Sequence, residues 1–206
     1  MLTLTLALCL ATAPTDGSGN PNPWEEVTRD GDLVVWTRDI PGARVREVKA
    51  QATIAAEAKR VFEVLADVDR YVEFMPYVEE SFKVGDWDKG IYEYQRINPP
   101  LVDRRDYTLK VTLERDEAGG VYKRSWVEAP DKGPALREGV VRVPINRGTW
   151  TMEAAAGGKT RLTYYLYTDP GGSLPAWIAN KANTTSVPDL IRAVKMRAQN
   201  GSWKRN

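Results

Sequence analysis

The order of its secondary-structure patterns constrains the fold of this chain more than any other feature. Two predicted strands, at 33–37 and 43–54, precede a helix that follows Ala55 and carries apolar residues at helical spacing. Further short predicted strands then succeed one another, separated by glycine-rich turns, at 81–84, 90–97, 106–115, 121–128, 138–143, 148–155 and 160–168. After the turn at 169–172 the pattern is helical to the end. This order predicts an α+β fold, with helices on one side of an antiparallel sheet.

The clearest strand pattern shows that this sheet is buried on one face only. Tyr107, Leu109, Val111 and Leu113 alternate with polar residues, which is typical of an antiparallel strand with one wet face. A long, strongly curved sheet around the terminal helix is the packing that we expect from these elements.

Composition removes several classes of function. The chain has 206 residues, 29 basic and 28 acidic side chains and no histidine. The missing histidine excludes Ser-His-Asp and Cys-His catalysis and histidine-ligated metals. The near-zero net charge argues against a nucleic-acid partner.

The N-terminal segment is predicted to be a targeting signal rather than part of the fold. Residues 1–13 (MLTLTLALCLATA) match a signal-peptide apolar region, residues 14–23 a linker, 24–198 one domain and 199–206 a tail. Such a signal would direct the protein to the periplasm or to the extracellular medium. Cleavage after Ala11 would then remove Cys9, the only cysteine. The alternative is a retained segment and a cytoplasmic location, because no Lys or Arg precedes the apolar run.

Four segments of the predicted domain resemble the START (steroidogenic acute regulatory protein-related lipid transfer) family. They are Trp24 with DLVVW at 32–36, RRDY at 104–107, GTWTM at 148–152 and, most specifically, DPGGSLPAWIAN at 169–180. The resemblance implies a helix-grip fold, in which a curved antiparallel sheet wraps a long C-terminal helix around an internal hydrophobic cavity. It also implies that one lipid or other hydrophobic molecule is bound and transported there, without catalysis.

The resemblance further implies a buried acid in the cavity, which falls on Glu93. The basic partner of this acid is not assigned, because Val111 occupies the position at which some relatives have arginine. An enzyme of the cyclase or hydratase type, acting on a polyketide-like substrate through Glu93, Arg105 or a tyrosine, is the alternative function. A protein-interaction module is the third. We expect no cofactor, no metal and no catalytic residue. We also expect that the protein is a monomer and contacts a membrane transiently.

Strand parity gives candidate residues for the cavity wall. Arg105 shares the parity of Tyr107 and would point inward, where it needs a partner such as Glu93, Asp103 or Asp106. It would serve either as a clamp on the strand end or as a ligand contact. The predicted ligand-binding residues are Tyr92, Glu93, Tyr94, Arg105, Tyr107, Leu109, Val111, Trp126, Met152, Tyr164, Leu166, Trp177 and Ile178, with Trp150 as a further wall candidate.

The terminal helix carries two apolar stripes that do not align. Leu174, Trp177, Ile178 and Ala182 share one face, and the stripe that begins at Val187 lies about half a turn away. Pro188 follows at once, so the sequence predicts a kink or break between the stripes. The first stripe would then belong to a movable lid and the second to an anchored helix.

Overall fold

The computed structural model describes residues 21–100 and 102–200, apart from the side chain of Asn183. The predicted signal peptide at 1–13, most of the linker and the end of the tail lie outside this part. The elements are β1 (Glu25–Asp30), β2 (Leu33–Arg38), β3 (Glu47–Ile54), α1 (Ala58–Ala66), β4 (Val78–Trp87), β5 (Gly90–Ile97), β6 (Arg104–Asp116), β7 (Val121–Glu128), β8 (Val140–Arg142), β9 (Ile145–Ala155), β10 (Lys159–Asp169) and α2 (Ala176–Gln199). Short 3₁₀ helices occupy Val68–Glu73 and Pro130–Lys132.

The strands form one sheet in the order β1-β2-β3-β10-β9-β7-β6-β5-β4. Every neighbouring pair along this path is antiparallel, and the short β8 pairs in parallel with the start of β6. The helix α2 packs on α1, β2 and β3. The predicted helix-grip fold of an antiparallel sheet and a long C-terminal helix is therefore confirmed.

The core lies where the second half of α2 meets α1 and the sheet. Val61, Phe62 and Leu65 of α1 are buried, as their helical spacing predicts. Ile191 and Val194 of α2 join them in the same cluster. Burial of such side chains stabilises the fold by about 1.5–3 kcal/mol each, so this half of α2 is firmly anchored.

The predicted break in the terminal helix is wrong. The helix begins at Ala176, after Pro175, and runs unbroken through Pro188 to Gln199. The hydroxyls of Thr185 and Ser186 donate to the carbonyls of Lys181 and Ala182, in the turn where proline interrupts the backbone ladder. The two stripes coexist in one helix because they meet different surroundings: the second enters the core and the first faces a cavity.

The edge strand β1 was not predicted, because Glu25–Asp30 lacks apolar alternation and is almost wholly exposed. It forms by pairing with β2 rather than by burying a face.

Candidate functional site

A cavity of about 630 Å³ lies between the concave face of the sheet and the first half of α2. Its volume is within the range of sites that hold small organic molecules, about 300–1,000 Å³. The strands β5, β6, β7, β9 and β10 supply most of the wall. The lining residues on these strands are Glu93, Gln95, Ile97, Arg105, Tyr107, Leu109, Arg124, Trp126, Asn146, Trp150, Tyr164, Leu166 and Thr168.

Three aromatic rings form one wall. The Tyr164 ring lies 4.2 Å from that of Trp150 and is stacked 6.1 Å from that of Trp126, measured between centroids. The Trp126 indole donates to Asn146 Oδ1 at 2.9 Å, so its polar edge is satisfied. Gly148 makes room for this indole, since a Cβ there would overlap both the Trp126 ring and the Tyr165 carbonyl. The wall is thus an apolar surface fixed in position from behind.

A buried ion pair lies beside these rings, since Arg124 faces Trp150 across β7 and β9. Glu93 is fully buried, and its Oε2 accepts from the guanidinium of Arg124, which is 2% exposed. The partner of the buried acid is therefore Arg124 of β7, and Glu93, one of three carboxylates considered as a partner of Arg105, does not pair with it. Burial disfavours the charged guanidinium, but the Glu93 carboxylate outweighs it and raises the pKa of Arg124.

Further hydrogen bonds extend from this pair along the wall. Gln95 Nε2 donates to Glu93 Oε1 at 3.1 Å, and the Tyr107 hydroxyl donates to Gln95 Oε1 at 3.0 Å. Both oxygens of Glu93 therefore have a donor. Burial raises the pKa of Tyr107 and of Tyr164 well above the ordinary tyrosine value. Both hydroxyls are therefore protonated at neutral pH, and that of Tyr107 is already engaged with Gln95.

Arg105 also lines the cavity, near its opening. It is 3% exposed and donates to the backbone carbonyls of Pro170, at 3.2 Å, and Asp103. It therefore joins the start of β6 to the loop before α2. A clamp was one of the two readings of this residue, but the clamp is made to carbonyls and not to a carboxylate.

Trp150 lines the cavity, as predicted. So do nine of the predicted ligand-binding residues, namely Glu93, Arg105, Tyr107, Leu109, Trp126, Tyr164, Leu166, Trp177 and Ile178. Tyr92 and Tyr94 do not. They alternate with Glu93 and Gln95 along β5, and successive strand residues point to opposite faces. Tyr94 packs on Phe82, and its hydroxyl donates to Asp106.

Val111 and Met152 also do not line the cavity. Both have a fully buried side chain within the hydrophobic core. Val111 shares the parity of Leu109 but lies further along β6, where the space inside the sheet is already filled. Parity predicts the face of a strand correctly here, but not how far along the strand the cavity extends.

Arg124, Gln95 and Asn146 were missed as cavity residues. A signal was available for Arg124, because it alternates with Tyr122 and Trp126 and so shares their inward parity. Gln95 likewise shares the parity of Glu93. Asn146 shares the parity of Trp150, but it lies before the start of the strand predicted at 148–155.

The cavity opens beside the first turns of α2. Trp177 lines it and is nevertheless 68% exposed. Tyr77, on the other side of the opening, is 40% exposed and adopts φ of 64°, which is rare for a residue with a side chain. Within the described residues, no cluster of metal-ligating side chains occurs and no helix is long and apolar enough to cross a membrane.

Comparison with known proteins agrees with this architecture. A family model described as polyketide cyclase / dehydrase and lipid transport matches residues 54–195. An uncharacterized protein of Pseudomonas aeruginosa is 22% identical, over 93% of this chain and 95% of its own. Mouse phosphatidylcholine transfer protein is 24% identical, over 67% of this chain and 65% of its own, so the match spans slightly less than two thirds of that relative.

The solved structure of a STAR-related lipid transfer protein from Xanthomonas axonopodis superimposes with a TM-score of 0.78. It is 28% identical, and the match covers 86% of this chain and 99% of that one. The chain therefore belongs to the polyketide cyclase / dehydrase and lipid transport family, and within it to the START-domain proteins.

Proposed function

We propose that the protein binds one hydrophobic molecule in this cavity and transports it chemically unchanged. The observation that carries the proposal is the cavity of about 630 Å³, which is built from apolar and aromatic side chains and opens beside a single helix. The likeness to proteins named for lipid transfer supports it.

Apolar burial supplies the binding free energy. Each ligand CH₂ that leaves water contributes about 0.8 kcal/mol, which corresponds to a factor of about four in Kd. A chain of ten buried methylenes therefore contributes about 8 kcal/mol before the cost of association is subtracted.

Titration with a homologous series of fatty acids or alcohols tests this. Affinity should rise about fourfold with each added methylene until the cavity is filled. Leu109→Trp, which fills the cavity from β6, should weaken binding of the longest ligands most. Leu136→Trp is the matched control, because Leu136 is 73% exposed and does not line the cavity. Absence of saturable binding across sterols, fatty acids and phospholipids would refute the proposal.

An enzyme of the polyketide cyclase type is the second candidate, since the matching family includes cyclases and the wall carries Glu93, Gln95 and Tyr107. The geometry favours the carrier. Both Glu93 oxygens already accept hydrogen bonds, and the raised pKa of Tyr107 prevents it from acting as a base at neutral pH.

Mass spectrometry of a ligand that co-purifies from the native host separates the two functions. A carrier returns the ligand with its mass unchanged after prolonged incubation. Conversion of an added polyketide-like substrate, abolished in Glu93→Gln, would establish the enzyme instead.

We also propose that the opening contacts a membrane surface during loading. The exposed Trp177 indole suits the interface between water and lipid, and it lies directly at the opening. Trp177→Ala should slow lipid transfer between vesicles while leaving equilibrium affinity within a few fold. Leu136→Ala is the control, because Leu136 is also exposed but is not among the residues that line the cavity. Equal transfer rates in the Trp177 variant and wild type would contradict this step.

A further inference from the structure

The charged side chains of the cavity wall do not balance. Four of its residues carry a formal charge: Glu93, Arg105, Arg124 and Lys181. The carboxylate of Glu93 forms an ion pair with Arg124. The two other cations, Arg105 and Lys181, therefore have no carboxylate partner among the residues that line the wall. A wall of this kind attracts a negative group.

Arg105 is the buried member of the two. The other fully buried arginines in the described part of the chain each donate to a carboxylate, Arg38 to Glu47 and Arg124 to Glu93. Arg105 instead donates to two neutral backbone carbonyls. Burial accordingly lowers the pKa of Arg105, and nearby Asp103, which does not line the cavity, only partly offsets this.

A buried guanidinium gains most from an anion, because charge-assisted hydrogen bonds are roughly twice as strong as those to neutral acceptors. Arg105 can make such bonds inside the cavity without unfolding anything, since it already lines the wall near the opening. Lys181 lies on the exposed side of α2 at the same cavity and adds to the positive potential.

The position of Arg105 also sets the orientation of a bound molecule. Leu109, the register partner of Glu93, lies four positions beyond Arg105 on β6, which is about 13 Å along the strand. Beyond the Tyr107 ring between them lie the aromatic wall and the core. A group bound at Arg105 therefore leaves an apolar chain pointing inward.

We infer that the ligand is an anionic amphiphile, whose carboxylate or phosphate binds Arg105 near the opening while its hydrocarbon chain occupies the interior. This inference rests on the proposed function. It assigns Arg105 as the residue that selects anionic over neutral ligands of equal chain length.

Calorimetric titration with three probes of one chain length tests it: dodecanoate, dodecyl phosphate and dodecanol, each below its micelle-forming concentration. At least one anion should bind about tenfold or more tightly than the alcohol. A preference confined to dodecanoate identifies a carboxylate ligand, and one confined to dodecyl phosphate identifies a phosphate ligand.

Arg105→Gln should abolish the preference while leaving dodecanol affinity within a few fold. Arg104→Gln is the matched control. Arg104 is the neighbour of Arg105 in the sequence, but it is half exposed and pairs with Glu79 outside the cavity. Arg105→Met, which keeps much of the volume without the charge, is used if the glutamine variant does not fold.

Equal affinity of wild type for all three probes, or a preference that survives in the folded Arg105 variant, would overturn the inference and leave the proposed function standing. Failure of all three probes to bind would overturn the inference alone, because the proposed function falls only if sterols, longer fatty acids and phospholipids also show no saturable binding.

Discussion

Removal of Arg124 should destabilise the protein far more than removal of a surface arginine. In Arg124→Met the fully buried Glu93 carboxylate would keep one hydrogen bond, from Gln95 at 3.1 Å, and no cation. An uncompensated buried charge costs about 3–5 kcal/mol. With an m value of about 2 kcal/mol/M, the urea midpoint should fall by about 2 M.

The double variant Glu93→Met with Arg124→Met removes both charges. It should recover at least about 2 kcal/mol of this loss, because a buried pair replaced by apolar side chains of similar size is often close to neutral. Arg147→Met is the control: its pair with Glu128 is 56% exposed on the arginine side, so the loss should stay below about 1 kcal/mol.

Urea unfolding of the four proteins, followed by tryptophan fluorescence and circular dichroism, measures these differences. A loss below about 1 kcal/mol in Arg124→Met would refute the reasoning. So would a double variant no more stable than the single one, because the energy would then reside in packing and not in the pair.

Three further predictions concern packing, pH and motion. Gly148→Ala should cost about 1–3 kcal/mol in chemical denaturation, since its methyl group would overlap an indole and a backbone carbonyl, whereas Gly85→Ala, with open space around it, should cost far less. Burial raises the pKa of Tyr94 to about 12, so the folded state holds this proton more tightly than the unfolded state; its contribution is complete below about pH 10 and disappears as the pH rises to 12. Tyr94→Phe should therefore flatten the fall in stability over that interval, and an unchanged slope would contradict the assignment. Amide hydrogens of residues 174–186 should exchange faster than those of 188–198 and slow on ligand addition; uniform, ligand-insensitive protection would exclude a movable segment.

Local sequence signals predicted much of the sheet. The bounds of β5 and β7, Gly90–Ile97 and Val121–Glu128, agree with the predicted strands because turn residues delimit them and apolar residues alternate within them. The strand β1 escaped prediction because an exposed edge strand needs neither signal. Pairing with β2 decides its structure, and pairing is a property of two segments together.

The polar part of the site depended on geometry that the sequence does not contain. Glu93 faces Leu109 across β5 and β6, whereas Arg124 faces Leu113 across β6 and β7. The two charges therefore meet diagonally over Val111, between strands that are not neighbours. Parity places both inside, but only the registers of two successive strand pairs, together with the reach of an arginine, show that they touch.

The same geometry explains why the cavity is not filled by its own side chains. Its aromatic wall cannot move inward freely, since Trp126 is tied to Asn146 and lies against the backbone at Gly148. Beside this wall, collapse would press apolar side chains onto the Glu93 and Arg124 pair without offering it new partners, which is costly in a low-dielectric interior. The side chains that would hold a ligand thus also preserve the space for it, and the second half of the helix that covers this space is anchored in the core. A cavity with rigid walls and a single helical cover is the arrangement that a carrier needs, because the ligand can leave through the opening without disturbing the core.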